Sequence, residues 1–438
     1  MNQAEALTLL TMGKNVFLTG PPGSGKTYVL NEYIAWLRKR GVEPAITAST
    51  GIAATHIGGQ TIHSWAGIGI KDTLTNYDLD LISQTERLVK RFRKTNVLII
   101  DEISMIRGET LRMVNAAIKA GLQSHEPFGG MQVVLSGDFF QLPPVEKKGD
   151  AQFCFQSNTW KELGLHTCYL EGQHRQNDTA LRSVLQAIRT GTVSKQHIAL
   201  LNRQVTTKAP KGMPCLYTHN IDVDAFNNKK LSLLRSPAHI FRMETRGSKK
   251  HVESLKRGVL TPEMLTLKKG AEVLFVKNHP QGMYMNGTIG KITGFRDGLP
   301  MVKTRGNGTI LAEQETWTME EHGKVLAEVT QVPLRLAWAI TIHKSQGMTL
   351  DGAHIELSKS FVHGQGYVAL SRVRSLDTLS LAGFNDVALS RNSAVARADT
   401  IFQSSSEKLV SRLKKTSPSR LTEIRNHFLS LIGGKTIS

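Results

Sequence analysis

The run GPPGSGKT, from Gly20 to Thr27, has the residue types of a phosphate cradle. It matches GxxxxGK[ST] between a predicted strand and a predicted helix, the setting that the pattern requires. Gly20, Gly23 and Gly25 let backbone N–H groups wrap anionic oxygens, with Pro21, Pro22 and Ser24 completing the loop. The helix N-terminus that follows favours negative charge. Lys26 is placed to neutralise β- and γ-phosphates, and the Thr27 hydroxyl to ligate Mg²⁺. A glycine-rich turn with an incidental lysine is the bland alternative, and the flanking elements argue against it. In NVLIIDEISM, Asp101 ends an apolar strand and Glu102 follows it. Alone, such a pair caps a strand. Two strands after a phosphate loop it reads as a metal-holding Asp101 and a Glu102 that orients and deprotonates water. Gln141, in GDFFQLPP, is either a sensor of the γ-phosphate or a turn glutamine. Together these residues predict ATP hydrolysis with Mg²⁺.

Elements of a layered α/β fold must hold them. Short apolar strands are expected at 15–19, 44–49, 96–101 and 131–138, alternating with helices, the pattern of a parallel sheet covered by helices. Val29, Leu30, Tyr33, Ile34 and Leu37 recur at helical spacing behind the phosphate loop, and Leu111, Val114, Ile118 and Leu122 mark another helix. Residues 1–165 therefore read as one α/β domain. A second α/β unit is split, with strands expected at 214–218, 334–341, 353–357 and 378–384. Between its parts, residues 242–257 read as a loop carrying six Lys/Arg against two Glu. Turn-punctuated β segments follow and suggest a small inserted barrel. From Ser404 the chain is Ser-rich, then basic and weakly amphipathic.

Composition narrows the partner. The chain has 438 residues, 55 Lys+Arg against 36 Asp+Glu, and a formal charge of +19. That surplus points to a polyanion, nucleic acid before a membrane surface, with a merely basic chain as the alternative. Cys154, Cys168 and Cys215 are scattered without ligand-like spacing and suit a reducing compartment. No apolar run approaches the roughly 18 residues of a membrane helix, so no membrane partner is expected. The first strand begins near Asn15, which leaves no room for a leader, so a cytoplasmic protein is expected, nucleoid-associated in a prokaryote.

The segments ASTGIAA, GGQTIHSWAGIG, DEISM, FGGMQVVLSGDFFQLPP, TIHKSQGMTLD and YVALSRVRS occur in that order. Together they resemble the superfamily 1B DNA helicases of the petite-integration-frequency type, relatives of RecD, over nearly the whole chain. The resemblance implies two RecA-like P-loop NTPase domains with parallel sheets, the second (166–235 and 331–400) carrying a Src-homology-3-like barrel at 236–330. It places a strand-separating wedge near 65–85 and matches no motif in the basic helical tail, 401–438. It implies an adenine-reading Gln3, arginine fingers at Arg175 and Arg372, and Gln346 on the nucleotide side. Thr50, Gly51, Thr61, His63, Thr341, His343, Lys344 and Ser345 fall in motifs that face DNA or couple it to ATP. His63 is equally readable as a structural histidine. The implied activity is ATP-driven 5′ to 3′ movement on single-stranded DNA by a protein monomeric when free. Single-strand/duplex junctions, RNA–DNA hybrids and G-quadruplexes are the implied substrates. A nucleotide switch or loader is the rival class, and a plain nucleic-acid module is a weaker one.

Overall fold

The computed structural model of the protein describes residues 1–436 apart from 70, 145–151, 173, 174, 177, 211, 212, 220–222, 257, 280, 285, 305–307, 322 and 323. Six strands form the first sheet: β1 (Val16–Thr19), β2 (Ala45–Ala48), β3 (Gln60–Thr61), β4 (Val97–Asp101), β5 (Gln132–Ser136) and β6 (His166–Tyr169). Their order is β3-β2-β4-β5-β1-β6 and every pairing is parallel. Buried on both faces, β1 and β5 are covered along their whole length and β4 up to Asp101, which is why they read as continuous apolar runs. The phosphate loop leaves the carboxyl end of β1, beside the ends of β4 and β5, where sheets of this kind bind ligands. The helix Lys26–Lys39 then crosses back over the sheet, burying Val29, Leu30, Tyr33, Ile34 and Leu37.

The second sheet starts with β7 (Cys215–Tyr217) and is interrupted by ten strands. These are β8 (Ala238–Arg242), β9 (Glu244–Gly247), β10 (Met264–Lys268), β11 (Glu272–Phe275), β12 (Ile289–Arg296), β13 (Leu299–Thr304), β14 (Thr309–Leu311), β15 (Glu315–Glu321), β16 (Lys324–Gln331) and β17 (Leu334–Leu336). They make antiparallel sheets of order β14-β13-β12-β11-β17, β15-β16-β9 and β10-β8. The chain then returns through β18 (Ala339–Thr341), β19 (Ala353–Leu357) and β20 (Leu379–Phe384) to complete a parallel sheet of order β18-β7-β19-β20.

Several expected boundaries shift. Residues 166–169 pair with β1, so the first sheet runs past 165. The stretch 334–341 is two strands, because β17 bonds to β11 of the insert whereas β18 bonds to β7. Residues 242–257 are not a loop but hold β9, paired with β16, and the helix Lys249–Lys256. In the expected wedge region a helix, Asn76–Gln84, is closed by a reciprocal Thr75–Asp78 cap and leaves Tyr77 and Leu81 exposed.

The C-terminal segment is not a separate tail beginning at 401. Its first helix spans Ser393–Lys415 and packs along β6. Phe402 joins an aromatic cluster with Phe17, Phe139, Phe155 and Trp160, and Ser406 Oγ accepts the Tyr169 amide at 3.1 Å. The second helix, Pro418–Leu431, sets the Phe428 ring against Gly13, where a Cβ would lie 2.2 Å from a ring carbon. At the junction of these parts Arg189 is buried between Asp138 (2.8 Å) and Asp399 (3.0 Å). It also donates to the hydroxyls of Tyr169 and Tyr367 and lies 4.2 Å over the Phe140 ring. Removing one member of a buried ion cluster leaves uncompensated charge, at a cost of roughly 3–5 kcal/mol. Arg189→Ala is therefore expected to lower the thermal unfolding midpoint by several degrees, measured by calorimetry. An unchanged midpoint would mean that the carboxylates find other partners.

Candidate nucleotide site

Glycine geometry decides what the phosphate loop can touch. Gly23 and Gly25 have φ of 80° and 94°, the left-handed region that side chains disfavour. A Cβ on Gly23 would lie 2.5 Å from the Arg175 Cβ, and one on Gly25 2.0 Å from Gln3 Nε2. Bare backbone at these positions thus lets Arg175 and Gln3 close on the loop from opposite sides. Gln3 Nε2 donates to the Ser24 carbonyl at 3.4 Å. Lys26 Nζ donates to the carbonyls of Gly20 (2.8 Å) and Pro21 (3.1 Å). Burial pulls the Lys26 pKa down, and the charges of Asp138, Glu102 and Asp101 oppose that pull.

Glu102 follows β4 with φ 52° and ψ 47°, a left-handed conformation that costs a non-glycine residue about 1–3 kcal/mol. That turn aims its carboxylate into the cleft, where Oε2 accepts from Gln346 Nε2 at 3.0 Å. Burial and the neighbouring Asp101 charge push the Glu102 pKa up to about 7. Asp101 is raised by burial too, with Lys26 opposing. A carboxylate poised near neutrality suits proton transfer from water. Gln141 is buried in the turn after β5, where its amide donates to the Asp138 carbonyl at 2.9 Å.

Arg175 and Arg372 reach the same place from beyond β6. Arg372 is buried, its guanidinium donating to the carbonyls of Val368 (2.9 Å), Met348 (3.1 Å) and Ser345 (3.3 Å) and to the Ser371 hydroxyl (2.8 Å). Burial, then repulsion from Arg175, lowers its pKa to about 9, so it stays cationic at neutral pH. Burial also lowers Arg175, while Glu102 opposes. A cavity of 390 Å³ brings Lys26, Thr27, Glu102 and Gln141 face to face with Arg175 and Arg372. Arg374 also lines it and was not singled out from the sequence, although the RVR spacing in ALSRVRS was there to be read.

The residues expected to face DNA divide. Thr50 and Gly51 open the helix after β2, and Thr50 Oγ1 accepts from the Ala53 amide. Thr61 ends β3 and caps the next helix, and half-buried His63 has its pKa lowered by burial and then by Arg107. His343 and Lys344 form the turn after β18 and are partly exposed. Thr341 and Ser345 are buried: Thr341 Oγ1 accepts from the Lys344 amide, and Ser345 Oγ donates to the Ile342 carbonyl. These bonds shape the turn whose Ser345 carbonyl accepts from Arg372.

Phosphate loop, strained carboxylate and opposed arginines define a P-loop nucleotide hydrolase with two RecA-like sheets facing one cleft. The profile of the PIF1-like helicase family matches residues 2–197. An ATP-dependent DNA helicase Pif1 of Psychrobacter sp. is 42% identical, over 99% of this chain and 75% of its own length. Pif1 of Bacteroides sp., solved in complex with ADP-AlF4, superposes with a TM-score of 0.81 at 32% identity, covering 92% of this chain and 96% of that one. Bacteroides Pif1 bound to single-stranded DNA gives 0.63 at the same identity and coverage. The chain belongs to the PIF1-like helicase family.

Substituting Glu102→Gln keeps the volume and the hydrogen bond to Gln346 but removes the titratable carboxylate. Turnover of ATP should fall by about 10²–10⁴, while ADP binding measured by calorimetry stays near wild type. Equal losses of binding and turnover would show that Glu102 holds the nucleotide and does not activate water.

Proposed function

We propose that the chain is an ATP-dependent DNA helicase that moves 5′ to 3′ along single-stranded DNA and separates the duplex ahead of it. One contact carries the reading: the Gln346–Glu102 hydrogen bond at 3.0 Å, joining a base on the first sheet to the turn after β18 of the second. His343 and Lys344 lie in that same turn, so a strand held there acts on the residue that positions water. A switch without translocation has no need of such a link.

The oxygen donors fit Mg²⁺. Thr27 and Glu102 face one cavity, and Asp101 is close enough for its charge to act on Lys26. Among the described residues no cluster of His, Cys, Asp and Glu could hold a metal unaided, which suits an ion that shares its shell with phosphates and water. Thr27 and Asp101 would hold it, and it would supply charge neutralisation at the β- and γ-phosphates. Lys26 and the loop amides bind the phosphates, Gln141 senses the terminal one, and Glu102 takes the proton from water. Arg175 and Arg372 stabilise the charge that develops, which requires a closed cleft.

The direction of movement is carried over from the family resemblance, and single-stranded DNA as a ligand is supported by the Bacteroides complex with it. The sheet β14-β13-β12-β11-β17 supports an inserted domain of Src-homology-3 type, extended to residue 336. Junctions, RNA–DNA hybrids and quadruplexes are the substrates to be ranked, and the free protein is taken to be a monomer.

Strand displacement on duplexes with either a 5′ or a 3′ single-stranded tail tests the reading. Unwinding should need ATP and the 5′ tail, and preference for the 3′ tail would overturn the direction. An ATPase rate indifferent to single-stranded DNA would favour the switch. Contacts to the backbone should make binding strongly salt-dependent, with a log–log slope of about −0.7 per neutralised phosphate. A slope near zero would contradict an electrostatic track.

A further inference from the structure

A second cavity, of 810 Å³, opens on the other side of the phosphate loop. Gln3, Ser24 and Glu171 line its inner side, and the long C-terminal helix closes it with Glu407, Ser411 and Lys414. The spacing of four and then three residues puts these side chains on one helical face. The helix is held in place by other faces. Leu409, Val410 and Leu413 pack on the core around β1 and the helix after the phosphate loop, and Asp399 and Ser406 are tied to Arg189 and Tyr169. The wall is therefore rigid although its polar tips are exposed.

The inner side is polar and preset. Gln3 is fixed against the loop by its bond to the Ser24 carbonyl, and Glu171, which accepts from the Met1 amine, shares the lining with it. The volume lies in the range that holds small molecules. On the nucleotide-site reading the phosphates lie on the opposite flank, beside Lys26 and Thr27, which leaves this side for the base and ribose.

We infer that the face bearing Glu407, Ser411 and Lys414 is the outer wall of the nucleoside subsite and sets affinity for base and ribose without touching the phosphates. This rests on the nucleotide-site reading above. The carboxylate and hydroxyl accept from ribose hydroxyls or an exocyclic amine, and the ammonium donates to ring nitrogens. Residues 380 or more positions after the phosphate loop thus take part in choosing its ligand.

Calorimetric titration of the full chain with Mg·ADP and with Mg·pyrophosphate separates the two halves of the ligand. Ser411→Trp, which fills the cavity, should weaken ADP about tenfold or more, and Glu407→Ala or Lys414→Ala about threefold. Pyrophosphate affinity should stay within about twofold in all three variants. ADP binding indifferent to every substitution overturns the inference alone, as does an equal loss of ADP and pyrophosphate. The alanine variants decide the matter if the tryptophan variant unfolds. A wild-type chain that binds neither ligand overturns the nucleotide-site reading and this inference with it.

Discussion

Charge taken out of water is the constraint around which this molecule is arranged, and the Glu102–Gln346 hydrogen bond is where the two sheets share it. Burying a carboxylate beside Asp101 is unfavourable, and the raised pKa of both groups expresses that. The backbone at Glu102 adds strain, since the residue that follows β4 is left-handed, a conformation that glycine would occupy more easily. What the turn gains is aim. An ordinary strand exit would carry the carboxylate along the sheet edge, whereas this one carries it into the cleft and within reach of the second sheet.

A second buried cluster shows what the same residue types do when opposite charges are paired. Arg189 sits between Asp138 and Asp399 and meets two tyrosine hydroxyls and an aromatic face. Here the carboxylates hold the arginine's pKa well up against desolvation. That cluster ties the end of β5, the helix Thr179–Thr190, the helix Gln365–Leu370 and the C-terminal helix into one body. Asp138 also contributes to the field at Lys26, so the structural cluster and the nucleotide cavity share a boundary. One pairs its charges and holds shape; the other gathers a surplus of positive charge.

The sequence disclosed what is encoded locally. GPPGSGKT is legible because glycine conformation and a following helix define its chemistry without distant partners, and β1, β4 and β5 because burial on both faces demands apolar runs. What stayed hidden depends on long-range contact. β9 is exposed along its length and owes its existence to ladder bonds with β16, so its polar composition read as a loop. The C-terminal helices dock through Phe402 and Phe428 onto residues near the opposite end of the chain, and nothing in their weak amphipathicity names that partner. Thr341 and Ser345 show that residue type does not say how deep a side chain lies: both are buried and bonded within their own turn.

The cavity's own electrostatics give the last step. Lys26, Arg175, Arg372 and Arg374 meet there, opposed by Asp101 and Glu102; burial first, and then repulsion by Arg175 on Arg372 and by Arg374 on Arg175, lowers both arginines. Such a surplus is stable only while burial is incomplete or an anion is present. A polyphosphate bound there would supply the missing negative charge, which is why the same residues that are unfavourable together on their own suit an anionic ligand.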